Sequence, residues 1–136
     1  MVTTLFIIGS ALAAIVYGLI SIKAILKLPS GNERMQEIAR AIQIGAKAFL
    51  NRQYRAVAIV AAVLFILISL VLNLKTGFAF VLGAGLSALT GYIGMNISVR
   101  ANIKTTEAAR GGLAKALNVA VKGGSITGML VVGLAL

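Results

Sequence analysis

Cysteine and histidine are missing from this 136-residue chain, and so is aspartate: the three acidic residues are Glu33, Glu37 and Glu107. Without cysteine there is neither a disulfide nor a thiolate zinc site. Three scattered glutamates leave nothing from which to build a metal centre or a working pair of carboxylates. No catalytic, cofactor-binding or metal-ligating residue is therefore expected in the chain. Charge is scarce as well, at 12% of residues, where a soluble domain carries about 25%. What remains is apolar: 60% of the residues, with a mean hydropathy of +1.01. Such a chain is too oily for a soluble domain and too hydrophobic for disorder. Thirteen Lys and Arg against the three glutamates leave a net charge of +10. On a soluble protein this would suggest nucleic acid. Here the basic residues flank apolar runs with little aromatic interleaving, so no nucleic-acid partner is expected.

The apolar residues come in runs of membrane length. Val2 to Ile22 gives 21 residues without a charge, reaching roughly 31 Å as a helix against a hydrocarbon core of about 30 Å. A cleaved signal peptide would want a basic start and a shorter apolar stretch, and Met1–Thr4 hold no basic side chain. Ala56 to Leu74 gives 19 more uncharged residues and Thr76 to Val99 gives 24. The last run, Gly123 to Leu136, has only 14. It becomes long enough if the helix starts near Leu117 and Lys122 snorkels to the interface. Its final carbonyls would then lack partners in lipid, which leads to the expectation of a fragment cut in or just after a fourth span. The chain thus reads as a single all-α transmembrane region, 1–136, with spans at about 2–26, 55–74, 77–99 and 117–136. Long loops fall at about 27–54 and 100–116.

Seven basic residues lie between the first two spans (Lys23, Lys27, Arg34, Arg40, Lys47, Arg52, Arg55) and five between the last two (Arg100, Lys104, Arg110, Lys115, Lys122). The intervening Asn73-Leu-Lys-Thr-Gly77 turn holds only Lys75. The positive-inside rule puts both long loops in the cytoplasm of a cell membrane, with the N-terminus and Lys75 on the other side.

Pro29 ends the first helix, and Ser30-Gly-Asn-Glu33 fits a capping box for the next. Met35, Ile38, Ile42, Ala46 and Phe49 then recur at helical spacing, as an amphipathic helix leading into the second span. It could grip anionic lipid or pack on the rest of a larger protein, and its narrow stripe, interrupted by Gly45, favours packing. The second loop is Ala-rich, broken at Gly111-Gly112, and carries neither a P-loop nor a dinucleotide-binding pattern. Its charge reads as solvated, with Glu107 suited to a local ion pair among Arg100, Lys104 and Arg110. Small residues four apart mark close helix packing: Ser10, Ala14 and Gly18; Gly83, Ser87 and Gly91; Gly124 and Gly128. No acidic residue lies in a span. These helices look like a scaffold around an ion path made by others.

The wording of the cytoplasmic segments adds a resemblance. Gly31-Asn-Glu-Arg-Met-Gln-Glu-Ile-Ala-Arg-Ala-Ile-Gln-Ile-Gly-Ala-Lys-Ala-Phe-Leu-Asn-Arg-Gln-Tyr54 resembles the first cytoplasmic segment of the membrane-bound, ion-pumping inorganic pyrophosphatases. So does Gly83-Ala-Gly-Leu-Ser-Ala-Leu-Thr-Gly-Tyr-Ile-Gly-Met95, followed by Ser98-Val-Arg-Ala-Asn-Ile-Lys-Thr105 and Ala108-Ala109. The resemblance covers roughly residues 31–136. It implies four outer-ring helices of a bundle of about sixteen, in a homodimeric pump that splits inorganic pyrophosphate and moves H⁺ or Na⁺. The implied cofactor is Mg²⁺, with K⁺ in some members. The family's D-x-x-x-D-x-x-x-K substrate motif has no counterpart in a chain without Asp, so the fragment alone is expected to be inactive. The alternative from the residues themselves is a complete small membrane protein that binds a partner or anionic lipid through its basic loops.

Overall fold

The computed structural model describes residues 2–135, with the side chain of Ala135 left out, and consists of four helices joined by short turns. They are α1 (Val2–Leu26), α2 (Glu33–Val71), α3 (Leu74–Ala109) and α4 (Leu113–Ala135). Each contains a stretch long and apolar enough to cross a membrane. With 39 and 36 residues, α2 and α3 reach roughly 58 and 54 Å, far beyond the bilayer core. Most of what the sequence marks as loop is therefore helix that continues out of a span. Residue 136, the end of the fourth expected span, lies outside the described residues.

The turns follow from local chemistry. Asn32, not Ser30, caps α2: its side-chain oxygen accepts from Met35 N at 3.0 Å, and Gln36 Nε2 donates back to Gly31 O at 3.0 Å. The expected capping box is displaced by two residues because Gly31 turns with φ +72° and because the Ser30 hydroxyl is bound elsewhere. Between α2 and α3 the turn is only Leu72-Asn73. Asn73 caps α3 by accepting from Thr76 N and Oγ1 at 2.8 and 2.9 Å, so Lys75 already belongs to the first helical turn. The break between α3 and α4 falls at Gly111-Gly112, where Gly112 adopts φ +108°, a conformation that side chains disfavour.

In the packing, α3 is flanked by α2 on one side and by α4 on the other, and α1 lies mainly against α4. Ile25, Ile97, Ala101, Ile126 and Leu130 form the core among α1, α3 and α4. Small residues set the spacing. Gly18 receives Leu130, with only 3.0 Å between its missing Cβ position and Leu130 Cδ2, and Gly133 lies against Ala11 O, Ala14 and Ile15. Gly94 faces Thr127, and Gly123 faces Ala101.

This pattern corrects two expected seams. Gly124 and Gly128 meet nothing within 4 Å, because α4 turns Gly123 and Gly133 inward instead. Gly83 is also open, and Gly91 makes room for the Tyr54 hydroxyl of α2. That hydroxyl donates to Ala88 O at 2.8 Å, and the Tyr54 and Tyr92 rings meet edge to face at 5.8 Å. The face of α2 is shifted too. Ala39 and Leu50 are buried, while Ile38, Ile42 and Phe49 of the expected stripe are each about half exposed. Ala39 and Ala46 are small enough for α3 to approach closely, which leaves the larger side chains on the flank.

Candidate functional site

Two of the four side-chain hydrogen bonds that tie distant segments together among the described residues lie at the end of the bundle where α1 stops and α3 meets α4. Pro29 prevents α1 from continuing, and the Leu28–Gly31 linker crosses the last turns of α3. Lys104, only 8% exposed, points its ammonium into that linker. It donates to the Leu28 carbonyl and to the Ser30 hydroxyl. A buried ammonium without such partners would be costly, and these hydrogen bonds offset its desolvation. Met35 and the Glu107 carboxylate close over Gly31, where a side chain would collide with both. The linker is thereby clamped onto α3 by groups more than seventy residues away.

Beside this clamp, α1, α3 and α4 enclose a cleft of about 590 Å³. Ile25 and Leu28 form part of its apolar floor, and Lys104, Arg110, Lys115, Asn118 and Lys122 contribute polar groups around it. Glu107, the one acid in the lining, pairs with Arg110 at 3.4 Å, as its surroundings in sequence suggest. The other two glutamates stand elsewhere. Glu33 opens α2, and Glu37 pairs with Arg34 at 2.7 Å on an exposed face. Among the described residues no three His, Cys, Asp or Glu side chains come together as metal ligands would.

Pattern reading missed Lys104, which is indistinguishable along the chain from the solvated basic residues around it. The available signals were the abrupt Leu-Pro-Ser-Gly linker and the recurrence of Lys115, Asn118 and Lys122 at helical spacing.

The sequence from residue 12 to residue 136 matches the family model described as inorganic H⁺ pyrophosphatase. The chain belongs to this family. It is 52% identical over 116 residues to a K⁺-insensitive pyrophosphate-energized proton pump of Methanosarcina mazei, covering 84% of this chain and 17% of that pump. It is 43% identical to a pump of the same description from Caldanaerobacter subterraneus, covering 91% of this chain and 19% of the relative. It is also 41% identical to a K⁺-stimulated pyrophosphate-energized sodium pump of Thermotoga maritima, covering 92% and 18%. The chain thus spans less than a fifth of the length of these relatives. Family membership accounts for the four apolar helices and for the wording of the segments between them.

Proposed function

We propose that this chain is the N-terminal bracing part of a pump that couples hydrolysis of inorganic pyrophosphate to transport of H⁺ or Na⁺ across a cell membrane. The observation that carries this reading is the match over residues 12–136 to a family whose relatives are pyrophosphate-energized pumps. The apolar, membrane-length stretches of the four helices hold no acid that could carry an ion across. They suit an outer-ring scaffold that packs against the helices of the pathway.

Magnesium, and potassium in some forms, belong to the whole pump in this reading. The chain's own carboxylates do not fit a magnesium site: Glu107 is held by Arg110, Glu37 by Arg34, and among the described residues no three acidic side chains come together. Multiple hard oxygen ligands around one point are what Mg²⁺ requires. Binding of pyrophosphate and its metal is assigned to parts of the pump outside these residues. The N-terminus and Lys75 are placed on the non-cytoplasmic side, from the basic residues of the two long connections. The pump is taken to be a homodimer embedded in the lipid bilayer.

The experiment is ion uptake by vesicles containing the full-length protein that carries these helices. Pyrophosphate added to the face bearing Lys104 is expected to drive accumulation of H⁺ or Na⁺. Vesicles that hydrolyse pyrophosphate without moving either ion would overturn the pump reading.

A further inference from the structure

Beside the clamp around Lys104 stand two cations that form no ion pair among the described residues. Lys115 and Lys122 both line the cleft between α1, α3 and α4, with Asn118 between them on the same face of α4. Their spacing of three and four residues is that of one helical stripe. Among the described residues the ion pairs are Arg34–Glu37 and Arg110–Glu107, so neither lysine has a carboxylate partner. The Lys115 side chain folds back over Gly111, where a Cβ would stand 3.2 Å from its ammonium nitrogen. The one acid of the lining, Glu107, is engaged by Arg110. The cleft is therefore net positive, with an amide between two ammonium groups and an apolar floor of Ile25 and Leu28.

We propose that this cleft is a binding site for a phosphate group, held by Lys115, Asn118 and Lys122. Ammonium and amide N–H groups supply charge-assisted hydrogen bonds to phosphate oxygens, and lysine suits phosphate as a compact point charge. Basic pockets between transmembrane helices at a membrane surface have the form that takes anionic lipid headgroups. The apolar floor would lie under the glycerol end of such a lipid, whereas a free phosphate would use the polar groups alone. The lining holds a single carboxylate, Glu107, already engaged by Arg110, so it lacks the clustered acidic ligands that a metal-dependent hydrolytic site requires.

The test uses the full-length protein that carries these helices, purified in detergent, in two arms. Native mass spectrometry reads retention of phosphatidylglycerol against phosphatidylcholine, and calorimetric titration reads binding of inorganic phosphate. Both arms compare a Lys115→Gln/Lys122→Gln variant with a Lys23→Gln/Lys27→Gln variant. The second pair removes the same charge from the end of α1 and does not line the cleft. All four side chains are exposed, and glutamine is as good a helix former as lysine, so both variants are expected to keep the wild-type unfolding temperature. Removing Lys115 and Lys122 is expected to weaken binding about thirtyfold, and removing Lys23 and Lys27 is expected to leave it within about twofold, a small fraction of that effect. Selective loss in the lipid arm identifies a headgroup as the ligand, and selective loss in the phosphate arm identifies a free phosphate. If neither ligand is lost selectively on removal of Lys115 and Lys122, the site does not exist as described.

Discussion

Lys104 and Ser30 meet at 2.5 Å although they stand on different sides of the whole α2 helix in sequence. The same ammonium also takes the Leu28 carbonyl, so one buried cation holds the end of α1 and the entry to α2 against α3. Lys104→Met keeps the length of the side chain and removes the donors, leaving a carbonyl and a hydroxyl unpaired. The expected loss of stability is about 1–3 kcal/mol, read as a lower unfolding temperature of the full-length protein in detergent. A variant as stable as wild type would mean that the clamp contributes nothing.

Neighbouring contacts predict opposite outcomes for the same substitution. A Cβ at Gly94 would stand 2.7 Å from Thr127 Cγ2, while at Gly124 it would meet nothing within 4 Å. Gly94→Ala is expected to cost about 1–3 kcal/mol by forcing α3 and α4 apart. Gly124→Ala is expected to be neutral or to stabilise by up to about 1 kcal/mol, because alanine favours the helix. Thermal unfolding of both variants checks this, and equal effects would refute the register of α3 on α4.

The four long apolar helices, the helical entry into the second of them and the break at Gly111-Gly112 were all legible in the sequence. Run length, amphipathic spacing and the conformational freedom of glycine are local properties. Helix faces were less legible. Along α3 and α4 the spans are apolar nearly all round, so periodicity does not say which side meets a neighbour. Gly124 and Gly128 therefore looked like a seam, whereas Gly123 and Gly133 form the close contacts. In α2, hydrophobicity singled out Ile38 and Phe49, but close approach selected Ala39. The role of Lys104 was illegible for a different reason: its partners lie 74 and 76 residues away, and nothing in its own neighbourhood distinguishes it from Arg100 or Lys115.

Orientation can be checked because the chain has no cysteine of its own. Single cysteines at Asn51, Lys75 and Thr106, probed on intact cells with a membrane-impermeant thiol reagent, are expected to label only at Lys75. Labelling at Asn51 and Thr106 but not at Lys75 would invert the proposed topology.

Hydrolysis of pyrophosphate needs metals held by clustered acidic ligands and a water activated between them, and among the described residues Glu33, Glu37 and Glu107 do not come together as metal ligands. The most direct measurement is phosphate release from magnesium pyrophosphate, by the full-length protein and by residues 1–136 alone, in the same detergent and lipid. The full-length protein is expected to show magnesium-dependent release and the 136 residues none above background. Turnover by the 136 residues alone would contradict the bracing role, and an inactive full-length protein would contradict the pump.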